Sequence, residues 1–70
     1  MEWSKIIREK RKSIRVTQEE LALATGVSLS FIKLIEQGKA NPSISVLENI
    51  IDALGYEMQI VQKQPELVVG

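Results

Sequence analysis

Seventy residues bound this chain to one small domain near the lower limit of independent folding, a size at which a second copy often supplies missing buried surface. With 44% hydrophobic and 26% charged residues it has the composition of a globular chain, not a disordered one, and the absence of cysteine excludes a disulfide framework and a thiolate metal site. The zero net charge is a cancellation: residues 1–39 carry eight Lys/Arg against five Asp/Glu (+3), and residues 40–70 one lysine against four acids (−3). Two halves of opposite sign point to two partners, or to one partner and a repelling back face. No apolar run approaches the roughly 20 residues that span a membrane, and the N-terminus lacks the pattern of a signal peptide. The expected location is the cytoplasm, with no membrane partner.

Trp3, Ile6, Ile7, Lys10 and Ile14 stand at helical spacing, which predicts a first amphipathic helix over about residues 3–14, with the Lys10 stem laid along the core. Thr17 opens a second helix, with Glu20 three positions on in the S/T-x-x-E capping box; Leu21, Leu23 and Ala24 fill it, and Gly26 ends it. Ser28 is the expected cap of a third helix that runs to Gly38. The turn "KANPS" leads to a fourth, capped by Ser43 or by Ser45 with Glu48 at the box spacing, and ended by Gly55. Val46, Leu47, Ile50, Ile51 and Leu54 form its buried face.

Beyond Gly55 the period changes to two: Tyr56, Met58 and Ile60 alternate with Glu57 and Gln59. A lone strand leaves its backbone groups unpaired, and no other segment reads as a strand. The expectation is therefore a dimerisation strand over residues 56–62, with Tyr56, Met58 and Ile60 pairing across a homodimer, against the alternative of an extended tail lying on its own helices. Residues 63–70 are expected to be a flexible tail.

The second helix, a short turn at Gly26 and the third helix form a helix-turn-helix arrangement, in which one helix crosses a phosphate backbone and the next enters the major groove. Ala22 and Gly26 supply the small residues where the two helices meet. Around the third helix Phe31, Ile32 and Ile35 share a core-facing arc, which leaves Leu29, Ser30, Lys33, Leu34 and Gln37 outward. Leucine cannot hydrogen-bond a base edge, but it packs on a thymine methyl, and lysine reaches guanine O6 and N7. The competing role for Leu29 and Leu34 is to close over the core edge or to face a protein.

Over about residues 5–55, "TQEELALATGVSLSFIKLIEQGKANPSISVLENIIDALG" resembles the phage-repressor (Cro/C1-type, XRE-like) helix-turn-helix family. The resemblance implies that Gln18 touches a phosphate and braces the third helix, and that Ser28 caps that helix and donates to phosphate. It implies that Leu29, Ser30, Lys33 and Leu34 read bases, and that the Gly38 backbone, Lys39 and Asn41 hold phosphates. It also implies a structural ion pair between Arg11 and Glu36. The chain departs from that pattern at Arg15, where a glycine commonly ends the first helix, and in the strand-like "GYEMQIVQK" that stands in place of a fifth helix. The short strand is similar to that of small antitoxins of HipB type, which implies an autorepressor with a HipA-type kinase toxin as partner.

The expected fold is thus all-α: a four-helix repressor-like helix-turn-helix domain over residues 1–55 with a short C-terminal β-strand pairing across a homodimer. The expected function is that of a sequence-specific transcriptional repressor on a palindromic double-stranded operator, and of an antitoxin. The alternative is a protein-binding module that neutralises a partner without reading DNA. With no histidine, no cysteine, no evident acid–base pair and no clustered carboxylates, the expectation is no enzyme, no cofactor and no metal.

Overall fold

The computed structural model describes residues 2–59. Four helices follow in chain order: α1 (Glu2–Ser13), α2 (Gln18–Thr25), α3 (Leu29–Glu36) and α4 (Ile44–Ala53). Three of them begin where the sequence supplies a hydroxyl. Thr17 Oγ1 accepts from the Glu20 N–H at 3.0 Å while Glu20 Oε1 accepts from the Thr17 N–H at 3.0 Å, so the capping box is complete. Ser28 Oγ accepts from the Phe31 N–H and Ser43 Oγ from the Val46 N–H, each at 3.2 Å. Ser43 is thus the cap of α4. Ser45 sits inside its first turn, with its hydroxyl 3.1 Å from that of Ser43.

The helices also end in a common way. At the end of α1 the Val16 N–H reaches back to the Arg11 carbonyl and the Arg15 N–H to Lys12, a double closure that needs a left-handed residue between them. Arg15 takes that conformation with φ 60, where a side chain is strained. Gly38 and Gly55 occupy the same place after α3 and α4, with φ 72 and 84. The closing bonds there run from Lys39 to Leu34 and from Tyr56 to Ile51.

Ile7, Leu21, Ile32, Ile35, Ile50 and Leu54 are fully buried, one or more from α1, α2 and α3, with Ile50 from α4 and Leu54 just past its end. Trp3, Val16, Ala22, Val27, Phe31, Ala40, Val46, Leu47 and Ile51 pack around them half-buried. α2 lies against both α3 and α4, and α1 against α3. Each buried aliphatic side chain contributes about 1.5–3 kcal/mol of transfer free energy. Leu23 is 86% exposed, because α2 turns only Leu21 fully inward and Leu23 lies two residues, or about 200°, round the helix.

Tyr56–Gln59 form no ladder within the described residues of this single copy. Ile60, the remainder of the expected strand to residue 62 and the tail 63–70 lie outside the described residues. Tyr56 and Met58 are exposed, and the Lys10 ammonium stands 5.3 Å from the centroid of the Tyr56 ring, a cation–π distance. Trp3, Ile6, Leu47, Ile51, Tyr56 and Met58 line an open apolar groove of about 380 Å³ between α1, α4 and this segment. No helix among the described residues is long and apolar enough to cross a membrane.

Candidate nucleic-acid interface

The turn from α2 to α3 is held from both sides. Gly26 takes φ 74, and its N–H closes α2 onto the Ala22 carbonyl at 2.9 Å. The Thr25 hydroxyl donates back to the Leu21 carbonyl at 2.8 Å and accepts from the Val27 N–H at 3.2 Å. From α4, Asn49 Nδ2 donates to the Thr25 carbonyl at 2.7 Å. Thr25 and Asn49 therefore fix the pitch of α3, and sequence reasoning missed both. Threonine near a helix end was a weak local signal; nothing local announces a partner 24 residues away.

The other end of α3 is held by a polar node. Arg11 Nε donates to Glu36 Oε2 at 2.7 Å and Nη2 to Oε1 at 2.9 Å, so the guanidinium meets the carboxylate fork to fork. Its Nη1 donates to the Val16 carbonyl at 2.9 Å. Gln18 Nε2 adds a bond to Glu36 Oε1 at 3.2 Å from the first residue of α2. The two charged side chains are 10% and 3% exposed, and the bond to Glu36 holds the arginine above its ordinary pKa against the opposing pull of burial. No buried side-chain nitrogen or oxygen among the described residues is left without a partner. One carboxylate thus ties α1, α2 and α3 together.

What α3 shows to solvent is set by that anchoring. Ser30 and Lys33 are exposed, Leu34 is 41% exposed and Leu29 is half-buried. Gly38, Lys39 and Asn41 follow on the exposed loop, and Ser28 is exposed at the start of the helix. Glu36 is the sole acid between Ser28 and Pro42, and it is neutralised inside the node. The face therefore presents two ammonium groups (Lys33, Lys39), two hydroxyls (Ser28, Ser30), two amides (Gln37, Asn41) and an apolar strip, with no surface carboxylate. Gln18, half-buried at the N-terminus of α2, lies beside it through Glu36. Such a face complements a polyanion carrying methyl groups and hydrogen-bonding edges.

Residues 7–61, most of the chain, match the helix-turn-helix family. The chain belongs to that family. It is 44% identical over 52 residues to a protein of Methanothermobacter thermautotrophicus named as an uncharacterized HTH-type transcriptional regulator, covering 74% of this chain and 75% of the relative. It is 38% identical over 52 residues to a protein of Bacillus subtilis named as the uncharacterized HTH-type transcriptional regulator YazB, with the same coverage. Against the immunity repressor protein of Bacillus phage phi105 it is 36% identical over 58 residues, 83% of this chain but 40% of the repressor's own length. No solved structure gives a significant match.

Proposed function

We propose that this helix-turn-helix protein is a sequence-specific DNA-binding transcriptional repressor. The observation that carries the reading is the acid-free outward face of α3, held by the Arg11–Glu36–Gln18 node at one end and a capped, braced turn at the other. In this reading α3 enters the major groove. Ser30 and Lys33 make polar base contacts, Leu29 and Leu34 pack on thymine methyls, and Gln18, Ser28, the Gly38 backbone, Lys39 and Asn41 hold phosphates. Regulators and a phage repressor among its relatives support the same assignment. Occupancy of a promoter suffices for repression, so no reaction, metal or cofactor enters.

The protein acts as a homodimer through residues 56–62, with Tyr56, Met58 and Ile60 on one face of the strand, residues 1–55 as the DNA-binding domain and 63–70 as a tail. The exposed Tyr56 and Met58 and the adjoining apolar groove support this, since a 70-residue chain gains most from covering such a surface. A two-fold pair of recognition helices would meet successive major grooves about 34 Å apart, hence a palindromic operator.

A second, compatible role is that of an antitoxin whose residues 40–70 face a toxin of the HipA kinase type. The acidic balance of that half, with Glu48, Asp52 and Glu57 exposed around α4 and the segment after it, supports a partner other than DNA there. The test of the main reading is selection of bound duplexes from a random pool. An enriched inverted repeat is expected; no enrichment overturns the repressor and leaves the protein-binding module.

A further inference from the structure

Several cations remain outside the interface described above. Lys5, Arg8 and Lys12 are all exposed on α1, and at 100° per residue they fall within an arc of about 60°. Arg15, exposed, follows directly after the helix. Glu9 lies just outside that arc, 4.0 Å from Lys5 in a solvent-exposed pair. Arg8 and Lys12 are one turn apart with no acid between them on their face, an arrangement that weakens a helix in isolation. Glu9 offsets the Lys5 end of the stripe, which leaves Arg8, Lys12 and Arg15 as the part that an external anion would neutralise.

Its placement says which anion. On the helix wheel the stripe borders Arg11, the residue that reaches Glu36 at the end of α3 and the Val16 carbonyl beside the start of α2. It lies away from Lys10, which faces Tyr56 on the opposite flank. Its lower end, Arg15, is two residues before the Thr17 cap of α2, where Gln18 begins. The row thus runs along the exposed side of α1 next to Arg11, from the residues just before α2, over about 10 Å from Lys5 to Lys12 at 1.5 Å per residue. Arg15 also occupies a left-handed position that glycine would fill without strain.

Resting on the DNA-binding reading, we propose that Arg8, Lys12 and Arg15, with Lys5 at the far end, form a second phosphate-binding track. It holds successive backbone phosphates of duplex DNA flanking the bases that α3 reads, and it contributes affinity without sequence preference. Each phosphate neutralised adds about 0.9 to the slope of log K against log salt.

The test uses the full-length chain and fluorescently labelled duplexes enriched from a random pool. Substituting Arg8→Gln, Lys12→Gln and Arg15→Gln together is expected to lower the salt slope by about two to three, with the enriched base pattern unchanged. Lys12→Gln alone is expected to lower it by about 0.9, and the charge-conserving Arg8→Lys/Lys12→Arg variant to restore the original slope. Helical circular dichroism and melting of each variant establish that it is folded. An original chain that binds DNA, with folded variants of unchanged slope, overturns the track alone. An original chain that binds no duplex overturns the repressor reading and the track with it.

Discussion

Arg11 and Gln18 donate to the same oxygen of Glu36: Nη2 of the arginine at 2.9 Å and Nε2 of the glutamine at 3.2 Å. Three helices are therefore registered by one carboxylate, and the pairing sets orientation more than net stability, because both ions have lost their water.

Removing one partner should expose that cost. Arg11→Met leaves Glu36 buried without its cation and is expected to cost about 3–5 kcal/mol. A chain of this length holds about 4–10 kcal/mol in total, so the variant should be largely unfolded at moderate urea. The double variant Arg11→Met/Glu36→Leu should recover much of the loss. Equal midpoints for the single and double variants in urea melts would contradict the buried-charge account.

The α2 cap gives the fold a dependence on acid. Glu20 accepts from the Thr17 N–H and is engaged by the Thr17 hydroxyl, which together hold its carboxyl below the ordinary glutamate range. A depressed folded pKa means a contribution that is fully present above the ordinary range and is lost as pH falls through it and past the folded value. Glu20→Gln keeps an accepting oxygen without a titrating group, so the difference in melting temperature between Glu20→Gln and the original chain should change as the pH is lowered, to the disadvantage of the original. Thr17→Ala, which removes the hydroxyl, is expected to cost about 1 kcal/mol at neutral pH.

Arg15 opposes stability to charge. Arg15→Gly relieves a left-handed arginine and is expected to stabilise the fold by about 1 kcal/mol, which raises the melting midpoint by about 4–8 °C for a domain of this size. A lower midpoint would show that the side chain makes stabilising contacts. The same variant should bind DNA with a shallower salt dependence.

For the two leucines of α3 the readout is base preference. Leu34→Ala, at a side chain 41% exposed, should change stability by less than about 1 kcal/mol and relax a thymine preference in the selected site. Leu29→Ala, at a half-buried position, should do both. An unaltered site for both variants would mean that these leucines only close the edge of the core.

Dimerisation is checked at Tyr56 and Met58. The pair Tyr56→Lys/Met58→Lys should shift the protein toward monomer in sedimentation and abolish the preference for an inverted repeat, while leaving the helices intact. An unchanged molecular mass would place the contact between copies elsewhere.

Much of this architecture was legible in the sequence because its punctuation is local. Thr17 with Glu20, Ser28, and the glycines at 26, 38 and 55 each determine a helix end through bonds within five residues. The spacing of Ile32, Ile35, Ile50 and Leu54 also marks the helix faces that are buried. Asn49 and Thr25 escaped because their bond joins residues far apart in the chain. The α1 stripe was legible as a count of cations, not as a face, until Arg11 fixed how α1 is turned. The expected strand depends on a partner chain, and period two shows which residues share a face without showing what they pair with.

Glu36 also separates the part of α3 that maintains the fold from the part that meets the outside. Ile32, Ile35 and Glu36 secure the helix from within, while Ser30, Lys33 and Leu34 take no share in the core or the node. The outward positions are therefore open to exchange at small cost in stability. If these positions read bases as proposed, a new target sequence needs only side-chain exchanges on a scaffold that stays as it is.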